Sequence, residues 1–359
     1  MRDLVQAVAE ASFRNSALLI LLAVIAAFSV GTLVLSVYAI ALRERHRARE
    51  HRRERLAQKW QGPVLLAVAD ADQMPGVDAL VEKQNRLRFV GFVLEYARRV
   101  RGEERGVLRS LARPYLSLVA KRADSRREEV RARAIQTLGT IGLPDHAPRV
   151  IAALDDRSPL VAMVAARALA RAETPQYAAD VLAHLERFKG WDRRFLASML
   201  AAMGPDVSGT LRWGLGDHSV EPWTRALLAE ASYLQGDFLA GDVAARVLSE
   251  TEDTELRASV LRLLSGVGRP EHAPAVRELC ASPNAVIRAQ ALRALGTVGG
   301  QEDLQILLSA MADSYPWAAL HAARGAAVSG GTQALVQLAA SDDPRAPLAR
   351  QVLAEGSVA

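Results

Sequence analysis

One phrase returns along this chain at intervals of about 31 residues. Val130-Arg-Ala-Arg-Ala-Ile-Gln-Thr-Leu138-Gly139 comes back as Val161-Ala-Met-Val-Ala-Ala-Arg-Ala-Leu169-Ala170. It returns again as Leu256-Arg-Ala-Ser-Val-Leu-Arg-Leu-Leu264-Ser265 and Ile287-Arg-Ala-Gln-Ala-Leu-Arg-Ala-Leu295-Gly296. Leu200 holds the same position as Leu138 and Leu169, weaker copies fall at Ala231 and Gly325, and a last one falls at Leu353. The steps from Leu138 are 31, 31, 31, 33, 31, 30 and 28 residues. A steady period of about 20–50 residues marks a stack of supersecondary units, each burying its apolar face only against its neighbours. Such stacks present a long surface rather than a closed catalytic pocket.

Within each unit the spacing predicts two helices. Glycines near the end of the repeated phrase (Gly139, Gly204, Gly266, Gly296) predict a left-handed stop there. Pro144-Asp-His-Ala-Pro148 and Pro270-Glu-His-Ala-Pro274 then open the second helix, because proline fits a helix's first turn. The second helices are expected at 149–154, 178–185, 243–248, 275–280, 304–311 and 334–339. Only 5% of residues are aromatic, which suits closely packed alanine- and leucine-rich helices better than sheets. The expected fold class is all-α.

Ahead of the repeats, residues 15–42 form a run of 28 without a charge, enough for a helix longer than a hydrocarbon core of ~30 Å. Arg43, Arg45, Arg47, Arg49, Arg52, Arg53 and Arg55 follow at once, whereas Arg2 and Arg14 are balanced by Asp3 and Glu10. That asymmetry predicts an uncleaved single-pass anchor in an inner (cytoplasmic) membrane, its N-terminus outside and its C-terminal domain cytoplasmic. Ala39-Ile-Ala41 looks like a signal cleavage site, but the apolar run is too long for one. The seven arginines suit anionic lipid head groups, or serve simply as a topology signal on a solvated helix. The expected divisions are a short extracytoplasmic N-terminus (1–14), a transmembrane helix (15–42) and an Arg-rich helical stalk (43–62) ended by Gln61-Gly62-Pro63. A divergent capping repeat (63–125), with Phe89, Val90, Val93, Leu94 and Ala97 as its apolar stripe, precedes the repeat array (126–359).

The units around Val130–Gly142 and Ile287–Gly299 resemble HEAT repeats of the short bacterial type, also found in relatives of phycobilin lyases. The resemblance covers about residues 126–356 and weakens at 190–235, where Trp191, Trp213 and Trp223 replace small residues. It implies a solenoid of roughly seven or eight helical hairpins, with second helices lining the concave face and turn aspartates paired to Arg131, Arg257 and Arg288. It implies no reaction, since this fold hosts scaffolds, binders and a few enzymes.

No P-loop, dinucleotide fingerprint or Gly-x-Ser-x-Gly elbow is present. His184, Asp180 and Glu186 lack the spacing of a structural zinc site, and no metal or cofactor is expected. His146 and His272 share a repeat position and read as helix-start residues, while Cys280 reads as a small buried thiol. Trp191, Trp223 and Trp317 are expected to pack between repeats. The net charge of +5 equals that of residues 43–59 alone, leaving 37 basic against 37 acidic residues elsewhere. A neutral body argues against nucleic acid as partner. The remaining candidates for partner contact are polar residues of the second helices: Arg149, Asp180, His184, Arg246, Arg277 and Gln305. The function these features suggest is a non-enzymatic, membrane-anchored scaffold that docks a protein, such as a component of a bacterial envelope polysaccharide synthase complex. A lyase-like enzyme and a nucleic-acid-binding solenoid are the alternatives, and no small-molecule substrate is identified.

Overall fold

The structure, a computed structural model, describes the backbone of residues 2–70, 74–100, 102–172 and 175–356. Side chains are described over the same residues apart from 2–30, 45, 46, 49, 75 and 175. Among the described residues there are helices and no strand. The chain divides into two compact units, Met1–Pro114 and Tyr115–Ala359.

The first unit contains α1 (Arg2–Ala69), α2 (Met74–Ala79), α3 (Arg86–Ala97) and α4 (Glu103–Ala112). The predicted stop at Gln61-Gly62-Pro63 does not occur; α1 runs through Pro63 to Ala69. Packing overrides the local breaker here. Trp60, Val64 and Ala67 lie one helical face apart and are buried, and Trp60 meets Phe89 and Phe92 of α3 edge-on at 5.2 and 5.7 Å. The apolar stripe predicted for α3 is the one it buries: Phe89, Val90, Val93, Leu94 and Ala97.

Among the described residues no helix is long and apolar enough to cross a membrane. This corrects the expectation of a transmembrane helix over 15–42, and with it the single-pass inner-membrane location. The described apolar stretch, Gly31–Leu42, covers only ~18 Å of helix axis against a ~30 Å core. Residues 15–30 of the expected span lie outside the residues whose side chains are described.

In the second unit α5 (Leu116–Ala120) leads into alternating long and short helices. These are α6 (Glu128–Ile141), α7 (Ala147–Ala152), α8 (Pro159–Ala170), α9 (Ala178–Ala183), α10 (Arg193–Ala201), α11 (Ser208–Gly216), α12 (Pro222–Gln235) and α13 (Ala240–Glu250). Then come α14 (Thr254–Val267), α15 (Ala273–Arg277), α16 (Ala285–Val298), α17 (Leu304–Ala310), α18 (Pro316–Val328), α19 (Thr332–Ala339) and α20 (Ala346–Gly356). The even-numbered helices from α6 to α20 are the first helices of the repeats, and each packs on the next in line. The repeat-marking side chains Leu138, Leu169, Leu200, Ala231, Leu264 and Leu295 are all fully buried at that seam. Each leucine so placed contributes roughly 1.5–3 kcal/mol of transfer free energy, which explains why its position is the one the sequence repeats.

The glycines of the phrase have a different role from the predicted helix stop. Gly139, Gly266 and Gly296 sit inside α6, α14 and α16, where a Cβ would meet Ala168 at 2.3 Å, Tyr233 at 2.6 Å and Gly325 Cα at 2.4 Å. They let the neighbouring first helix come close: Gly296 faces the backbone of Gly325, Gly139 the methyl of Ala168 and Gly266 the ring of Tyr233. Gly204, between α10 and α11, does take the left-handed role, with φ +92°.

Candidate functional site

The second helices are held to one another by side chains reaching from one repeat to the next. Arg212 of α11 donates both bonds of one Nη to the Asp237 carboxylate ahead of α13, at 2.7 and 2.6 Å. Asp242 of α13 accepts from Arg269 at 2.7 Å and pairs with His272 Nε2 at 2.9 Å, both ahead of α15. Arg277 of α15 grips Asp303, at the start of α17, through Nε at 2.5 Å and Nη2 at 3.0 Å. The first helices carry a parallel series, in which Arg131 chelates Asp156 at 2.8 and 2.7 Å and Arg288 chelates Asp313 at 2.5 and 2.9 Å. These arginines pair with the turn one repeat ahead, whereas Arg257 pairs with the nearby Glu252.

Charge-assisted bonds of this kind fix protonation states. Arg131 holds Asp156 below the ordinary carboxylate range, Arg277 does the same to Asp303, and Arg288 to Asp313. Asp242 is lowered first by the His272 hydrogen bond and then by Arg269. Cys280 is buried as expected, and burial pushes its thiol up to about 12, so it stays protonated and poorly nucleophilic at neutral pH.

Asp242, Glu271 and His272 come close enough together to suggest a metal site. Their hydrogen bonds point elsewhere. Arg269 already bridges both carboxylates, at 2.7 Å to Asp242 and 2.8 Å to Glu271. The Arg269 amide donates to His272 Nδ1 at 3.0 Å, which leaves Nε2 to carry the proton toward Asp242. Neither imidazole nitrogen then offers a lone pair to an ion.

Of the six candidate contact residues, Arg149 pairs with Asp124. Asp180 is half-buried, and its carbonyl accepts from His184 Nδ1 at 2.7 Å, while His184 Nε2 lies 3.3 Å from Asp155. Arg277 and Gln305 line one shallow groove of about 600 Å³, between α15 and α17. Arg246 lines another of about 510 Å³, between α11 and α13, together with Trp213, Gly216 and Val243. The structure thus brings together Asp180 with His184 and Arg277 with Gln305, and leaves Arg149 and Arg246 apart from them, rather than gathering the six at one point. In the first unit Arg43, Arg47, Arg52, Arg53 and Arg55 are exposed, with Arg47 paired to Glu44 and Arg53 to Glu95 of α3. The side chains of Arg45 and Arg49 lie outside the described residues.

Sequence reasoning did not find α11 as a second helix, and so did not place Trp213 on the candidate face. Trp213 is 68% exposed. Trp191 and Trp223 are half-buried, but Trp317, expected between repeats, is 57% exposed at the start of α18, where it lies beside the His321 ring. The signal that was available is the mismatch itself, since a large aromatic at a small-residue position has no slot between close-packed helices.

Residues 116–202 and 242–327 match the family model described as HEAT repeats. Over these two stretches the chain is similar to HEAT repeats. The match leaves out 203–241, which contains α11 and α12. A search of curated proteins gives no match. Among solved structures, one mutant of Kap121p is 13% identical over 76% of this chain and 37% of its own, at a TM-score of 0.45. A second Kap121p mutant gives 14%, 81%, 38% and 0.47, and the karyopherin Kap121p bound to the SUMO protease Ulp1p gives 12%, 82%, 45% and 0.38. The chain spans less than half the length of these structures.

Proposed function

We propose that the HEAT repeats of the second unit form a protein-binding scaffold, that the row of second helices is the docking surface, and that the protein acts by holding a partner rather than by catalysis. The observation that carries this reading is where the open grooves lie. Two of them, of about 600 and 510 Å³, open between consecutive second helices, and three of the six predicted contact residues line them. Shallow, successive grooves fit an extended protein segment better than a small substrate, which needs to be largely enclosed. The acid–base inventory points the same way. Asp156, Asp303 and Asp313 are engaged by arginines, and the Cys280 thiol is raised, so these groups are not tuned for proton transfer near neutral pH.

Photo-crosslinking side chains placed at Gln305 and Arg246, with Gln136 on the exposed side of α6 as the comparison, test the assignment of the surface. In cells producing the full chain, positions 305 and 246 are expected to capture a discrete protein and position 136 is not. Capture from position 136 alone, or from none of the three, would remove the second-helix face as the docking surface.

A further inference from the structure

The link between successive second helices is interrupted at one residue. Arg246 stands 31 residues before Arg277 and occupies the same position in its repeat. Arg277 reaches 26 residues ahead to Asp303; the residue 26 ahead of Arg246 is His272, which turns instead to Asp242. Arg246 is exposed and makes no ion pair among the described residues, while Arg212, on the other wall of the same groove, is neutralised by Asp237. Gly216 makes room for it: a Cβ there would stand 3.1 Å from Arg246 Nη2. One guanidinium, with its fork unfilled, is therefore presented in a groove whose own carboxylate, Asp217, accepts from the Ser219 amide at 2.8 Å.

The same region exposes large apolar side chains. Residues 203–241, which the HEAT model leaves out, contain Trp213 at 68% exposure, Phe238 at 69%, Leu239 at 63% and Leu234 at 54%. Val243 and Arg246 of α13 line the groove, with Leu239 capping α13 one turn before Val243, and Trp213 and Gly216 of α11 line the opposite wall. The Arg212–Asp237 pair ties the turn holding Phe238 to α11. From Leu239 to Arg246 is ~10 Å along the helix axis. An exposed tryptophan beside an unpaired arginine is the residue pairing that interface hot spots favour.

We infer that this groove is a peptide-docking site for a short protein segment carrying a bulky apolar residue about 10 Å from a carboxylate, the apolar group seated on Trp213 and Leu239 and the carboxylate on Arg246. The inference rests on the scaffold reading and names its site and the chemistry of the partner.

The test is a selection of random displayed peptides on the full-length protein. Peptides that pair an acidic with an aromatic or aliphatic residue are expected to be enriched, and to lose about tenfold in affinity with Trp213→Ala and again with Arg246→Glu. Both positions are exposed, and unchanged melting of the variants would show that folding is intact. Replacing the peptide's acidic residue by lysine is expected to restore binding to Arg246→Glu and to abolish it on the unmodified protein. Peptides whose binding is insensitive to both variants but lost with Gln305→Glu would overturn this site and leave the scaffold reading standing; no enrichment at all would count against both. If sedimentation showed a dimer that Trp213→Ala dissociates, the groove's occupant would be a second copy of the chain, and the acidic-peptide assignment would fall.

Discussion

Asp303 has no solvent exposure and still carries a charge, which is sustainable only because three donors converge on it: Arg277 Nε, Arg277 Nη2 and the Gly300 amide at 3.2 Å. Removing a carboxylate in such a place leaves an amide and a guanidinium without their acceptor, and the cost is the desolvation of those groups. Asp303→Ala is expected to lower unfolding free energy by about 1–3 kcal/mol. Glu271→Ala, at an exposed pair one repeat earlier, should stay within about 0.5 kcal/mol. Urea denaturation of the two variants checks this; equal effects would mean that the inter-repeat pair carries no more weight than a surface one. His146 and His272 show how far the sequence reaches at this scale. Their shared register correctly marked both as helix starts, but only the structure distinguishes them, because Asp242 stands opposite His272 and no sequence pattern announces a partner 30 residues away.

Two helical glycines make opposite demands on the elements that contain them. Ala is the better helix former by about 1 kcal/mol, so Gly→Ala stabilises wherever there is room for the methyl. Gly91 in α3 has nothing within 4 Å of its would-be Cβ, whereas Gly296 in α16 meets the Gly325 backbone at 2.4 Å. Backbone cannot rotate aside as a side chain does, so the α16–α18 contact must open. Gly91→Ala is expected to stabilise by about 0.5–1 kcal/mol, and Gly296→Ala to destabilise by about 1–3 kcal/mol, read as opposite shifts in thermal midpoint. From Val130 onward the first helices were legible, because buried leucines recur with the repeat, and so were the second helices apart from α11. The function of the glycines was not, since a glycine that stops a helix and one that admits a neighbouring helix are the same letter. The continuation of α1 through Pro63 was hidden for a related reason: Trp60, packed on Phe89 and Phe92, outweighs a local breaker.

Over the whole molecule, charge is partitioned in a way that a single total conceals. Met1–Pro114 carries a net +7 and Tyr115–Ala359 a net −2. The apparent neutrality outside residues 43–59 is therefore partly a cancellation: residues 86–127 hold twelve basic and four acidic side chains, and the sequence argument summed across them. The expectation of a membrane span failed at the same scale, because it rested on an uncharged run, 15–42, whose side chains are described only from Gly31, and that part is too short to cross. What the second unit's charges do is better read from pH. Asp156, Asp303 and Asp313 are lowered by Arg131, Arg277 and Arg288, so the unfolded chain binds protons more readily than the folded one at these sites. Their contribution is complete above the ordinary carboxylate value of about 3.9 and is lost as pH falls through their lower folded values. His321 is also lowered, by burial first and then by Arg293 and Arg324, so its contribution is present above about 6.5 and declines below it. In a stack where each repeat touches only its neighbours, losing several inter-repeat links weakens the interfaces one by one rather than at a single point. The urea midpoint is therefore expected to fall gently as pH drops below about 6.5 and more steeply below about 4, with His321→Asn removing the first decline and Asp303→Asn reducing the second. A midpoint that stayed level down to pH 3 in the unmodified protein would show that these arginine–aspartate pairs do not hold the repeats together.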